Sequence, residues 1–294
     1  MIIDGKNYQS IWLDENDRSR VLVIDQRRLP FFFETRELCS VEDIYNSIRD
    51  MTVRGAPLIG AAGAFGMYLA TLEITGRTNV ASHLNNAASY LISCRPTAVN
   101  LSWAVGRVLD RLKGIDDPEL LAETAMNAAF EICETERENC RKIGENGLPL
   151  IREISERKGG KPVNILTHCN AGWLACIDYG TVTAPIYLAW EKGIPLHVWV
   201  DETRPRNQGA RLTAWELGKQ GVPYTLITDN AGGHLMQNGM VDLVFTGCDR
   251  ATRKGDVANK IGTYLKAVAA FDNSVPFWSL MPSTSIDFTL SDGL

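Results

Sequence analysis

Along residues 11–33 apolar and polar positions alternate, then run apolar at 21–24 and 30–33 around polar turns, which predicts a small antiparallel sheet. From there to about residue 158 the apolar spacing changes to three and four. Segments 43–49, 56–74, 81–92, 98–112 and 118–143 each read as helices, punctuated by Gly, Pro and polar clusters. After Lys158-Gly159-Gly160-Lys161-Pro162 the pattern changes again. Short apolar runs at 163–166, 196–200, 224–227, 243–245 and 277–280 alternate with helical patterns near 180–192, 207–220 and 257–271. That alternation predicts an open parallel sheet covered by helices, and ligands in such sheets sit beyond the carboxyl ends of the strands. The expected organisation is α/β: residues 1–158 form a mostly helical domain with a small antiparallel sheet, and residues 159–294 a parallel-sheet domain.

Composition narrows the function classes. The 294 residues suit about two domains at roughly 150 residues each. With 45% apolar and 22% charged residues the chain has the balance of a folded globular protein. Lys plus Arg number 30 against 35 Asp plus Glu, a net charge of −5 with no basic block, so nucleic acid is not an expected partner. The longest apolar stretch, 56–70, is interrupted by glycines and is shorter than the ~20 residues of a bilayer span. It reads as a core helix, with no membrane partner. The first nine residues carry Asp4, Lys6 and Asn7 where a secretory signal needs an apolar core, so the expected location is cytoplasmic. The seven cysteines form no CxxC pair, and their odd number argues against a full disulfide framework.

Unusual residues collect at the strand ends. The run 163–166 leads into Thr167-His168-Cys169-Asn170-Ala171-Gly172, 198–200 into Asp201-Glu202-Thr203-Arg204, and 244–245 into Thr246-Gly247-Cys248-Asp249-Arg250. All three open on one rim. A free cysteine is most often core, but Cys169 has polar and Gly neighbours. A thiol there can act as base or nucleophile if cations lower its pKa, with Arg204, Arg206 and Arg211 as candidates. Asp249 is either a capping carboxylate or, if partly desolvated, a general acid. His168 and His234 with Cys169 and Cys248 match no known metal-ligand spacing, so no metal site is expected.

Arg54-Gly55-Ala56-Pro57 opens a helix with Pro in its first turn, which converges free N–H groups and a guanidinium on one point, a setting for phosphate. Gly60, Gly63 and Gly66 recur every third residue and read as a close helix-packing face. Neither a Walker A motif nor a strand-linked GxGxxG occurs, so nucleotide binding lacks its usual signals. Asp256-Val257-Ala258-Asn259-Lys260 reads as a first helical turn with Asn259 and Lys260 toward the rim.

Val53-Arg54-Gly55-Ala56-Pro57, Arg95-Pro96-Thr97-Ala98-Val99-Asn100-Leu101, Thr167-His168-Cys169-Asn170-Ala171-Gly172, Asp201-Glu202-Thr203-Arg204-Pro205, Asn207-Gln208-Gly209-Ala210-Arg211-Leu212 and the stretch 255–264 occur in order over about residues 50–290. Together they resemble the methylthioribose-1-phosphate isomerases, sugar-phosphate isomerases of methionine salvage. The resemblance implies a helical domain followed by a Rossmann-like domain in a homodimer, with Cys169 and Asp249 as the catalytic pair. It also implies that Arg54, Gly55, Ala56 and Arg95 hold substrate, completed by Gln208, Asn259 and Lys260. Three departures stand out: such chains usually carry Ala where this one has Cys248, the stretch Cys176 to Ala184 is not their commonest version, and they continue some tens of residues past Pro282-Ser283-Thr284-Ser285, so the second domain is expected to be shortened.

The implied chemistry is aldose–ketose isomerisation of 5-methylthioribose 1-phosphate. A sugar blocked at C1 by a phosphate ester cannot open to a free aldehyde, so a proton must be placed on the ring oxygen, a role for Asp249. Hydrogen then moves from C2 to C1, as a proton through Cys169 or as a hydride in an apolar pocket. Neither route requires a metal or organic cofactor. Alternatives are another 5-substituted ribose 1-phosphate, such as 5-deoxyribose 1-phosphate or ribose 1,5-bisphosphate, and a non-catalytic scaffold like the regulatory subunits of the translation-initiation exchange factor, which share the fold.

Overall fold

The computed structural model describes residues 1–75, 79–95 and 99–293. Pro96, Thr97 and Ala98, which belong to the 95–101 motif and to the start of the helix expected at 98–112, lie outside the described residues. The chain divides into two compact units, one of residues 9–138 with 175–177, the other of residues 1–8, 139–174 and 178–294. Strands β1 (Ile2–Ile3) and β2 (Lys6–Asn7) pair antiparallel and belong to the latter.

In the first unit β3 (Ile11–Leu13), β4 (Val21–Ile24) and β5 (Thr35–Leu38) form an antiparallel sheet in that order. The third strand is Thr35–Leu38 and not the apolar run 30–33. A proline cannot donate to a ladder, and Phe31 and Phe32 are exposed in the turn instead. Helix α1 (Val41–Arg49) starts in a reciprocal cap: Ser40 Oγ accepts Asp43 N–H at 3.1 Å while Asp43 Oδ2 accepts Cys39 N–H at 3.0 Å. It is followed by α2 (Ala56–Leu72), α3 (Val80–Ser93), α4 (Val99–Leu112) and the long α5 (Pro118–Arg157), whose residues from 139 onward belong to the second unit. Helix α2 is apolar all round and every residue from Pro57 to Thr71 is buried, the mark of a helix enclosed by others. A Cβ at Gly63 would lie 2.5 Å from Leu101 Cδ1, and one at Gly66 2.9 Å from Leu91 Cδ1. The triplet glycines therefore let α4 and α3 close onto α2, which is their packing role.

The second unit contains β6 (Val163–His168), α6 (Thr183–Glu191), β7 (Leu196–Asp201), α7 (Ala214–Lys219), β8 (Tyr224–Ile227), α8 (Ala231–Gln237), β9 (Leu243–Thr246), β10 (Arg250–Thr252), β11 (Val257–Ala258), α9 (Thr263–Asp272), β12 (Phe277–Ser279) and β13 (Ile286–Asp287). Five strands form a parallel sheet in the order β12-β9-β6-β7-β8. This is the doubly wound order, and its direction of winding reverses between β6 and β9, the place where such sheets bind ligands. Leu166, Val244, Met236 and Ala270 form the core beneath α8 and α9. Strands β10, β11 and β13 make a separate small sheet.

Two expectations are corrected here. The segment 256–260 is not a helical turn: Val257–Ala258 pairs antiparallel with β10, and the helix begins only after Gly262, whose φ of 105° is left-handed. Helix α5 runs 14 residues beyond 143, to Arg157. Gly144 and Gly147 do not end it, because they give room to α6: a Cβ at either would approach Leu188 Cδ1 or Pro185 Cβ to 2.8 Å. No helix among the described residues is long and apolar enough to cross a membrane.

Candidate active site

Cys169 is the first residue beyond β6, with φ 68°, a left-handed conformation that a non-glycine residue holds only when its surroundings enforce it. Three contacts do so. The Cys169 N–H donates to Thr203 Oγ1 at 2.8 Å, its carbonyl accepts Thr213 Oγ1–H at 2.7 Å, and its Sγ donates to Gln208 Oε1 at 3.1 Å. Thr203, beyond β7, is itself left-handed at φ 64°, and Asp229 fixes that turn by accepting the N–H groups of Thr203 and Arg204, each at 2.8 Å. Gln208 reaches the thiol because a π-helical turn, Gly209–Thr213, follows it closely against β7. A Cβ at Gly209 would lie 1.7 Å from the Asp201 carbonyl oxygen, so only glycine fits there.

The loop beyond β9 meets the one beyond β6 at Gly247, where a Cβ would come within 2.8 Å of Ala171 Cβ and 4.0 Å of Asn259 Oδ1. Asp249 follows two residues later. Its N–H donates to the Ala258 carbonyl at 2.9 Å, and the residue is exposed, not in the part-desolvated setting the sequence suggested. Next to it, Arg250 is anchored to Asp287 at 2.8 Å. Hydrogen bonds from Thr289 and Arg250 hold the Asp287 carboxyl down to about 2. Burial, with a smaller contribution from the charge of Asp249, pushes the Cys248 thiol up to about 11, so it is neutral. Asn259 and Lys260 are half-buried in the loop before α9. Asn259 Nδ2 donates to Thr263 Oγ1 at 3.0 Å, and the Lys260 carbonyl accepts the Thr263 hydroxyl at 2.8 Å.

In the other unit, Gly55 (φ 99°) caps α2 with Ala56 and Pro57 in the first turn, and Arg54 is buried beside that helix end. A Cβ at Gly55 would strike the Ala175 backbone at 2.4 Å. Arg95 is half-buried just past α3. Arg204, Arg206 and Arg211, the candidate cations for the thiol, are exposed, and Gln208 Oε1 accepts a hydrogen bond from Sγ. His234 is exposed on α8, bonded through its ring to Asn238. His168, Asp201 and Asp229 bring three ligand atoms within 4.8 Å of one another, but Lys266 Nζ stands among them, 2.9 Å from Asp201 Oδ2 and 2.6 Å from the Asp229 carbonyl oxygen. A lysine already supplies the positive charge at that point. Sequence reasoning overlooked Thr203, Thr213, Asp229 and Lys266. The one signal available for them was the isolated lysine in the apolar run 264–270.

Residues 52–293 match the family model described as the Initiation factor 2 subunit family. The chain is 56% identical over 294 residues to methylthioribose-1-phosphate isomerase of Desulfatibacillum aliphaticivorans, covering 100% of this chain and 80% of that one. It is 55% identical over 295 residues to the enzyme of the same name from Sinorhizobium medicae, with 100% and 79% covered. Among solved structures it is similar to 5-methylthioribose 1-phosphate isomerase from Pyrococcus horikoshii OT3, with a TM-score of 0.88, 37% identity and coverage of 98% and 79%. It is also similar to the translation initiation factor eIF-2B, subunit delta, from A. fulgidus, with a TM-score of 0.85, 39% identity and coverage of 97% and 81%. The chain belongs to the Initiation factor 2 subunit family and, within it, to the methylthioribose-1-phosphate isomerases.

Proposed function

We propose that this aldose–ketose isomerase converts 5-methylthioribose 1-phosphate to 5-methylthioribulose 1-phosphate, with Asp249 as acid and Cys169 as base. The observation that carries the reading is that Cys169 and Asp249 follow β6 and β9, the adjacent strands between which the winding of the sheet reverses. Breaking the bond between C1 and the ring oxygen leaves electron density on that oxygen, and a proton from Asp249 neutralises it. Asp249 is open to solvent in the free chain, so bound sugar is what excludes water from it. Cys169, once its thiol proton has passed to solvent, takes the C2 proton as a thiolate. The C2–H electrons form a C1–C2 double bond, and collapse of that enol to the C2 ketone puts a proton on C1. The alternative is a direct hydride shift from C2 to C1, in which the thiol shapes the pocket. Gln208, in contact with the thiol, orients it in either route.

Arg54 with Gly55 and Ala56 at the start of α2, together with Arg95, has the chemistry to recognise the phosphate, and Asn259 and Lys260 that to recognise sugar oxygens. The resemblance to homodimeric enzymes extends the proposal to a cytoplasmic homodimer. A second reading, a non-catalytic regulatory scaffold, draws on the initiation-factor title of the A. fulgidus structure.

The deciding experiment is proton and phosphorus NMR of 5-methylthioribose 1-phosphate incubated with the protein in deuterated buffer. A C2 ketone is expected, with deuterium at C1 if a proton moves and none if a hydride does. Folded protein that forms no ketone from this sugar, nor from 5-deoxyribose 1-phosphate or ribose 1,5-bisphosphate, overturns the isomerase reading in favour of the scaffold.

A further inference from the structure

His168 is the last residue of β6 and the immediate neighbour of Cys169. Its ring is enclosed, at 1% exposure, and both nitrogens are engaged: Nδ1 lies 2.7 Å from Asp201 Oδ2 and Nε2 lies 2.7 Å from the Ile261 carbonyl oxygen. A backbone carbonyl only accepts, so Nε2 carries a proton. Asp201 Oδ2 also receives Lys266 Nζ at 2.9 Å, and an ammonium only donates. As the anionic partner of that ammonium, Asp201 is a carboxylate, and its Oδ2 accepts from Nδ1 as well. Both ring nitrogens are therefore donors.

Charge around the ring agrees. The groups facing it from neighbouring elements are Asp201 on β7, Asp229 in the loop after β8, whose Oδ1 is 3.9 Å from Nδ1, and Lys266 on α9. Asp201 and Lys266 are 0% and 3% exposed. The buried Asp201 and Lys266 offset one another, and the half-buried Asp229 leaves one negative charge beside the ring, which a positively charged His168 offsets. The backbone is shaped to the same contact: Gly262 is left-handed at φ 105°, and a Cβ there would lie 2.7 Å from His168 Cε1 and 2.8 Å from Nε2.

We propose that His168 is a doubly donating imidazole clamp, a positioning residue that ties the strand end bearing Cys169 to the loop bearing Asn259 and Lys260. The role in turnover rests on the site reading above; the protonation state does not. With both nitrogens committed and the ring buried, His168 takes no proton from substrate. It sets the spacing between the thiol and the residues assigned to bind the sugar, and Asp201 and Lys266 hold the ring at its angle.

The test uses the whole chain labelled with nitrogen-15 at histidine only, the His168 signals being those lost in His168→Gln. At neutral and mildly alkaline pH both His168 ring nitrogens are expected to be protonated, each with its own slowly exchanging proton. A ring nitrogen without a proton under those conditions overturns the clamp, whatever the protein's activity. Kinetics supply the second arm through Gly262→Ala, which keeps every assigned side chain and displaces the loop from the ring. It is expected to lower kcat/KM by about tenfold or more, mainly through KM. Unchanged kcat/KM in folded Gly262→Ala, with an active parent, overturns the positioning role. A parent that turns over no sugar phosphate while His168 remains doubly protonated refutes the isomerase reading and with it the role in turnover, leaving the clamp as a structural feature.

Discussion

The two units bury polar groups in different ways. In the helical unit, α2 is a shaft of Ala, Gly and Leu, and buried hydroxyls bond locally: Thr52 Oγ1 donates to Asp50, and Ser47 and Thr71 donate to the carbonyls of Ile44 and Tyr68. One carboxyl stands apart: Glu136 on α5 is 2% exposed, with its Oε2 unpaired. In the parallel-sheet unit, buried His168, Asp201, Thr203, Thr213 and Lys266 gather at the carboxyl ends of adjacent strands and bond to one another or to the strand-end backbone, with Asp201 Oδ1 left unpaired. A lone buried carboxyl remains a titratable liability, whereas a connected set fixes backbone in conformations that Cys169 and Thr203 would not hold alone.

The sharpest way to break this contrast is Asp201→Ala. It leaves two buried cationic donors, His168 and Lys266, without their shared acceptor, and a loss of about 3–5 kcal/mol in urea-unfolding free energy is expected. A loss below about 1 kcal/mol, the scale of an exposed pair, would show that the network does not hold the strand ends. Glu136→Gln should act in the opposite sense. Burial raises the Glu136 carboxyl to about 7 from a reference of 4.5, so the native state holds the proton longer than the unfolded chain does. Stability is then greatest below 4.5, falls as pH rises to about 7 and is level above, a drop of about 3 kcal/mol. The glutamine variant should lose that slope and exceed the parent at alkaline pH by about the same amount. Unfolding curves with equal pH dependence in both proteins would contradict it.

The proposed roles divide into chemistry and binding, and mutants can separate them. Cys169→Ala and Asp249→Asn in the sheet unit should each lower kcat by about a hundredfold or more with the fold intact, the scale of a lost acid or base. Near-native turnover in both would remove the acid and base roles. Arg54→Ala at the start of α2 should instead raise KM by about tenfold and change kcat less, because a phosphate contact present in both ground and transition states contributes uniform binding. Unchanged KM would take the phosphate away from Arg54.

Most of the sheet unit was legible because each of its five parallel strands is a short apolar run between helical patterns, and three strand ends carry polar motifs. That was enough to bring Cys169 and Asp249 to the rim. Helix α8 was not read: seven residues with two glycines make no periodic signal. The same holds for α5 beyond 143, where Gly144, Gly147 and Pro149 read as breaks although α6 packs on the glycines and Glu145, whose carbonyl loses its donor to Pro149, is exposed. The segment 256–260 misled because two strand residues before a left-handed glycine carry no more pattern than a first helical turn. The clamp was illegible for another reason: its members at 168, 201, 229 and 266 are far apart in sequence, and only the strand order brings them together.

Cys248 is the smallest of the tests and bears on how far a departure from the family pattern matters. It occupies the position before Asp249, where the family resemblance leads to the expectation of Ala. Its thiol, pushed up to about 11 chiefly by burial, is neutral at physiological pH and adds no charge beside Asp249. A neutral, half-buried thiol is close in size and polarity to a methyl group with one added atom. Cys248→Ala should therefore leave kcat/KM within about twofold and stability within about 1 kcal/mol of the parent. A large fall in kcat with Asp249 unaltered would mean that the sulfur takes part in the chemistry, and that the strand end beyond β9 carries two reactive groups instead of one.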